Sequence, residues 1–385
     1  MCSAGSGCSR RDGSSDCDWG RIYSEVWRRF AGGDDAKVES LQINLGERSY
    51  SIYIGTGLFS KLDEFKPKAD RYLLLTDENV DAYYGEQVMA AVGKENCQKY
   101  VIEPGESSKT METVTGILSY MLDQQFTRKS ALIALGGGVV GDIAGFCASV
   151  YMRGIEWIQL PTTLLAQVDS SVGGKTGVNM PQGKNVVGSF YQPQAVVIDI
   201  DVLKSLPKRE MVSGIGEVIK YGIICDYDFF SYMNKNLYQL FTLKKEVLEK
   251  VIYDCCRMKA VIVAADEREG GLRKILNFGH TFGHSLEAAT NYEKYTHGEA
   301  VLIGMSVEAK MAWDMGWIDR LYYEEIKGLI EKTGISLDIT NMDKALLLDK
   351  MMGDKKNQEN KISFILPIEK GGVKEVMLQR DAVKW

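Results

Sequence analysis

Residues 131–142 read ALIALGGGVVGD: an apolar run from Ala131 to Leu135 enters Gly136, Gly137 and Gly138, then resumes through Val139 and Val140 to Asp142. Apolar residues bounded by glycine suit a buried strand, and the resumed pattern suits a helix opened by a tight turn. At such a turn glycine lets the backbone approach a pyrophosphate, and the free N–H groups of the helix N-terminus attract anions. The run is GGGxxGD and not GxGxxG, so alone it fits an unliganded strand-to-helix turn as well.

Outward from this run, strand and helix signals alternate. Leu41, Ile43 and Leu45 alternate as in a strand, and Tyr50 to Ile54 read as a second. Arg71 to Thr76 is a short apolar strand, Val80 to Val92 a helix, Gln98 to Ile102 a strand and Thr110 to Gln125 a helix. The alternation predicts a Rossmann-like α/β part with a parallel sheet. Asp77 and Asn79 follow one strand, and Glu106 and Lys109 follow another. These ends face the crevice where an open α/β sheet takes a dinucleotide.

Residues 160–190 are rich in Gly, Thr, Ser and Lys and read as a long segment of little regular structure. Gly173-Gly174-Lys175-Thr176 ends like a phosphate loop, but the first glycine of GxxxxGK[ST] would fall on Asp169. A Walker-type ATPase is excluded, and Lys175 and Lys184 remain anion contacts. Beyond Leu206-Pro207 helical periods dominate: Glu210 to Ile224, Lys244 to Ala265, Phe278 to Ala289, Glu299 to Met315 and Tyr322 to Lys332. The expected organisation is a nucleotide-binding α/β domain over 38–206 and a mostly helical domain over 207–385. Residues 1–37, rich in Ser, Gly, Asp and Arg, read as a disordered extension or a remnant added for expression.

Of 385 residues, 45% are hydrophobic and 25% charged, ordinary for a folded globular chain. Forty-six Lys and Arg against 52 Asp and Glu give a net charge of -6, which argues against nucleic acid or an anionic membrane as partner. No stretch approaches the ~20 apolar residues of a membrane span. Eight cysteines without CxxC spacing, and an N-terminus lacking an apolar signal core, predict reduced thiols in a cytoplasmic protein.

All three histidines, His280, His284 and His297, lie within one 18-residue stretch. His280 and His284 are four apart, one above the other on a helix face, and a catalytic metal takes three protein ligands and leaves a position open. Spacing nominates the three histidines and leaves room for a carboxylate in place of one, with Glu217 the best candidate. Glu217 shares a helix face with Lys220, and Gly214 and Gly216 beside it imply that something packs closely there. Lys259 interrupts the stripe Val247, Val251, Cys255, Val263, a charge on a buried face that predicts a polar cavity. With Arg153, Arg273, Lys355 and Lys356 it suits a small substrate bearing carboxylate or phosphate.

The strings PGExxK at 104–109, GGGVVGD at 136–142, YMRG at 151–154, PTTLLAQVDSSVGGKTGVN at 161–179, GEVIKYG at 216–222, NFGHTFGH at 277–284, HGEAV at 297–301 and DKKN at 354–357 occur in order. From about Val38 onward the chain resembles the 3-dehydroquinate synthase family of sugar phosphate cyclases. The resemblance implies NAD and zinc or cobalt as cofactors, a sugar phosphate substrate, a homodimer and a cytoplasmic location. Zinc ligands then fall on Glu217, His280 and His297, and His284 turns to the substrate. NAD contacts fall on Asp77, Asn79, Glu106, Lys109, Gly137, Gly138, Val139, Asp142, Thr162, Thr163, Asp169, Lys184 and Asn185. Catalytic and substrate contacts fall on Arg153, Lys175, Lys220, Lys259, Arg273, Asn277, His284, Lys355 and Lys356. The family often has Ala where this chain has Gly216, and Thr where it has Ser205. Other readings are a related cyclase such as 2-deoxy-scyllo-inosose synthase, a metal-dependent glycerol or alcohol dehydrogenase, and a nucleotide-binding regulatory protein.

Overall fold

A computed structural model describes residues 38–353 and 360–385. The tail reading for 1–37 and the contacts assigned to Lys355 and Lys356 lie outside the described residues. The strands are β1 (Glu39–Ile43), β2 (Tyr50–Gly55), β3 (Tyr72–Asp77), β4 (Cys97–Ile102), β5 (Ala131–Gly136), β6 (Glu156–Pro161), β7 (Lys175–Met180), β8 (Gly183–Phe190) and β9 (Ala195–Asp199). Among the described residues seven of them form one sheet in the order β1-β2-β9-β6-β5-β3-β4, antiparallel only between β1 and β2. The opening apolar run is central strand β5, buried along its whole length.

Covering this sheet are helices α1 (Glu86–Val92), α2 (Met111–Asp123) and α3 (Gly138–Val150). Ile143, Ala144 and Cys147 of α3 join Leu132 and Ala134 of β5 and Val114, Ile117 and Met121 of α2 in one core cluster. The chain leaves β3 toward β4 on one side and leaves β5 toward β6 on the other. The carboxyl ends of β3 and β5 therefore flank the point where strand order reverses, the position at which open α/β sheets bind ligands.

From Lys208 onward the fold is mostly helical: α4 (Lys208–Ile224), α5 (Tyr227–Phe241), α6 (Lys245–Ala265), α7 (His280–Ala289), α8 (His297–Asp314), α9 (Arg320–Glu331) and α10 (Lys344–Met352), closed by the hairpin of β10 (Lys361–Glu369) and β11 (Gly372–Gln379). Helices α5 and α10 and strand β11 have no counterpart in the sequence reading. Residues 160–190 are also more regular than expected, since β7 and β8 form an antiparallel hairpin. Gly177 faces Gly188 across that ladder, so the middle of the hairpin lacks the alternating side chains by which a strand is recognised.

Two helix contacts set the site. Helices α4 and α8 meet backbone to backbone: a Cβ on Gly298 would stand 2.0 Å from the Ser213 carbonyl oxygen, and one on Gly216 2.8 Å from that of Gly298. The closeness that the glycines near Glu217 implied is real. Helix α7 is fixed from outside: Gly279 before it has φ 78°, and Glu308 of α8 accepts the Gly279 N–H at 2.6 Å and the Phe282 N–H at 3.3 Å. The five cysteines among the described residues are free thiols, Cys255 and Cys256 buried on α6. No helix among the described residues is long and apolar enough to cross a membrane.

Gly298→Ala tests the first contact. Overpacking a tight core costs about 1–3 kcal/mol, and this methyl group meets backbone, which yields least. The variant is expected to unfold at lower denaturant concentration, at the upper end of that range; an unchanged midpoint contradicts the contact.

Candidate active site

Glu217 stands in the middle of α4, 0% exposed. Burying a carboxylate is costly unless it is paired. Its Oε2 pairs with the ammonium of Lys220, one turn on and 1% exposed, while its Oε1 has no hydrogen bond. Its Oε1 lies 3.6 Å from Nε2 of His280 and 3.7 Å from Nε2 of His297. Those separations are too long for hydrogen bonds. They suit donors around a cation, since ligand bonds of about 2.0–2.2 Å at tetrahedral angles separate donor atoms by roughly 3.3–3.6 Å.

The other ring nitrogens have partners of their own. His280 Nδ1 is 3.0 Å from the Phe278 carbonyl, and His297 Nδ1 is 3.2 Å from Glu287 Oε2. Such partners fix which nitrogen faces a metal. Burial and the nearby Lys220 charge push His280 well below its ordinary value, which keeps the imidazole neutral and able to ligate. Burial also works against a charge on His297, but Glu287 outweighs it and holds the value up. His284 is exposed, and a nitrogen from each of the three rings falls within 4.8 Å of the others. Both ligand sets are thus close in space; of their members Glu217 is the fully buried one, and its Oε1 has no hydrogen bond.

A second buried network adjoins the first. Lys259, 5% exposed, donates to the Asp169 carbonyl at 2.7 Å and pairs with its Oδ1 at 2.9 Å, and Tyr221 donates to the same Oδ1 at 2.5 Å. The charge on the apolar stripe of α6 thus has a half-buried partner on the segment following β6. Burial drives the Lys259 ammonium down to about 8, against the opposing pull of Asp169. Burial raises Asp169, but Lys259 and then Lys220 outweigh it and hold the carboxyl far below its usual range.

At the carboxyl ends of the strands the structure places Asp77 and Asn79 after β3, Glu106 and Lys109 after β4, Gly137, Gly138 and Val139 after β5, and Thr162 and Thr163 after β6. Lys109 pairs with Asp142 at 2.5 Å and donates to Asn185 at 2.6 Å, while Asn179 bridges Glu106 and the Asn185 backbone. Helix α3 is preceded by Gly137 as N-cap and has no side-chain cap, so its N-terminal N–H groups are open to an anion. The Thr162 hydroxyl is buried without a partner. The strand ends, the uncapped helix and the orphan hydroxyl fit a dinucleotide.

The substrate-side expectations divide. Lys175 ion-pairs with Glu269, whose Oε1 accepts from Asn277 at 3.1 Å, so these two gather around an acid that sequence reading missed. Arg273 is 1% exposed and donates to the backbone carbonyls of Gly173 and Glu267, so it holds the glycine loop, while its buried Nε has no hydrogen-bond partner. Arg153 departs furthest: it is exposed, at φ 69°, beyond the far end of 13-residue α3. A helix of that length spans ~20 Å, so within one chain Arg153 does not join the cluster. Glu287, Glu308, Tyr221 and Glu269 were all missed; only Glu287, seven residues after His280 on the same helix face, left a local signal.

Lys259 offers a direct check of the second network. In ¹³C NMR of Cε-labelled protein its amine is expected to lose its proton near pH 8. Titration in the ordinary range near 10.5 contradicts the dominance of burial over the opposing Asp169 charge.

A family model described as 3-dehydroquinate synthase N-terminal matches residues 99–213, and one described as 3-dehydroquinate synthase C-terminal matches residues 214–357. The chain is 58% identical over 341 residues to a 3-dehydroquinate synthase of Alkaliphilus metalliredigens (strain QYMF), covering 89% of this chain and 96% of that one. Among solved structures it resembles 2-deoxy-scyllo-inosose synthase complexed with carbaglucose-6-phosphate, NAD+ and Co2+, with a TM-score of 0.83 and 27% identity over 89% of this chain and 97% of that one. It also resembles a 2-epi-5-epi-valiolone synthase from Streptomyces hygroscopicus subsp. jinggangensis 5008 with NAD+ and Zn2+ bound, with a TM-score of 0.79 and 25% identity over 88% and 95%.

Proposed function

The chain belongs to the 3-dehydroquinate synthase family, and on that premise we propose how its own residues divide the work of the reaction. The enzyme converts 3-deoxy-D-arabino-heptulosonate 7-phosphate to 3-dehydroquinate and phosphate by transient oxidation, phosphate elimination, re-reduction and aldol cyclisation. Bound NAD supplies the hydride acceptor and donor, and a bound divalent metal ion the Lewis acid that eases loss of the hydroxyl proton.

Glu217, His280 and His297 hold the metal in this reading. The observation that carries it is the fully buried Glu217 carboxylate, whose Oε1 has no hydrogen bond and faces two imidazole nitrogens at 3.6 and 3.7 Å. Asp77, Asn79, Glu106, Lys109, Gly137, Gly138, Val139, Asp142, Thr162, Thr163, Lys184 and Asn185 receive NAD at the strand ends. Asp169, expected among them, serves chiefly to hold Lys259. Residues 38–206 are taken as the NAD-binding domain and 207–385 as the metal- and substrate-binding domain, acting as a cytoplasmic homodimer.

Lys175, Lys220, Lys259 and Asn277 orient the anionic groups of the substrate, and Arg273 braces the Gly173 loop beneath them. His284, the most exposed of the three histidines, exchanges a proton with a substrate hydroxyl. Charge placed before substrate arrives needs no reorganisation during the reaction.

The protein given the heptulosonate phosphate, zinc and a catalytic amount of NAD+ is expected to release phosphate in many-fold excess over NAD+ with no net NADH. NADH formed in step with product identifies a dehydrogenase and contradicts the proposal. Glu217→Ala is expected to lose both metal and turnover; full retention of zinc overturns the ligand assignment.

A further inference from the structure

Glu287 lies on α7, 5% exposed, on the same face as His280 and His284. Its two oxygens serve different elements: Oε2 meets His297 Nδ1 at 3.2 Å, and Oε1 lies 3.5 Å from the Lys184 ammonium of β8. The Lys184 ammonium also sits 3.8 Å over the Tyr292 ring, just past the end of α7. Glu287 is not a ligand itself, because it approaches the ring nitrogen opposite the one that faces Glu217.

We propose that Glu287 is a positioning residue that turns His297 Nε2 toward the metal and raises its basicity, while tying the β7–β8 hairpin to the metal helices through Lys184. The inference rests on the reading of His297 as a ligand. The geometry calls for such a residue at His297 in particular. His280 is oriented by a backbone carbonyl of its own loop, a partner that no side-chain change removes. His297 is the first residue of α8, where a side chain has no preceding helical turn to pack against, and the carboxylate of α7 takes that place. A carboxylate does more than a carbonyl: its charge strengthens the imidazole as a donor, and losing such a partner costs roughly 10–100-fold in metal affinity or activity. The Lys184 contact also joins a residue assigned to NAD with a residue assigned to metal through one buried acid.

The test is zinc affinity of the metal-free full chain, read by competition with a chromogenic chelator, for Glu287→Gln, Glu287→Ala and His297→Ala. Glu287→Gln keeps shape and an acceptor but removes the charge, and is expected to weaken zinc binding at least about tenfold, with Glu287→Ala weaker still. Turnover of Glu287→Gln should recover at saturating zinc with KM for the sugar phosphate unchanged, and the metal-free variant should melt as the parent does. Parent-like zinc affinity in Glu287→Gln, or a loss that tracks a lowered melting temperature, overturns the proposal. If Glu287→Ala fails to fold, the Gln variant decides. His297→Ala separates the two levels: if it too binds zinc like the parent, the ligand reading has failed; if it alone loses zinc, only the role of Glu287 has.

Discussion

The approach of α4 to α8 at Gly216 and Gly298 is the constraint on which the site depends. Glu217 follows one of these glycines and His297 precedes the other, so the contact that excludes side chains also fixes how near the carboxylate comes to the imidazole. Side chains larger than hydrogen would separate the helices, and a donor atom displaced by an ångström no longer shares a ligand sphere of about 2 Å radius. Helix α7 brings the third donor, and its register is set by the Glu308 carboxylate of α8. Helix α8 therefore orders both other helices. The bidentate Arg209–Glu299 contact fastens α4 to the first turn of α8 near the glycine crossing.

Around that crossing the chain gathers two acids, the buried Glu217 and the half-buried Asp169, and two buried ammonium groups, Lys220 and Lys259. Buried ion pairs add little net stability, and removing one partner is strongly destabilising. Their value here is positional. The Asp169–Lys259 pair joins the segment after β6 to α6, and Tyr221 brings α4 to the same carboxylate. The α/β part that carries the dinucleotide crevice and the helical part that carries the histidines thus share a charged, hydrogen-bonded boundary. A low-dielectric boundary holds charges where developing charge can be met without rearrangement.

Much of this was legible in the sequence, for identifiable reasons. Strand β5 and its glycine turn announce themselves because a buried strand is apolar throughout and a strand-to-helix turn needs small residues. The histidine cluster and the glycines beside Glu217 are local patterns, and they pointed to a metal and to a close approach. Partners fixed only by tertiary contact left no pattern: Tyr221 and Glu308 look like ordinary helix residues until Asp169 and the start of α7 are placed against them. Lys259 was readable as an anomaly on an apolar stripe, but its partner lies 90 residues away. The β7–β8 hairpin was hidden by its facing glycines. Arg273 and Arg153 carry the same charge in sequence, while the fold buries one against backbone carbonyls and leaves the other exposed far from the cluster.

Spacing alone nominated three imidazoles; the proposed ligand set replaces one of them by the buried Glu217 carboxylate. X-ray absorption fine structure of the zinc-loaded protein measures that difference directly, because imidazole rings give a multiple-scattering signature that carboxylates lack. The account predicts two imidazoles and light-atom oxygen donors at about 2.0–2.2 Å. A first shell with three imidazoles would place His284 on the metal and contradict it.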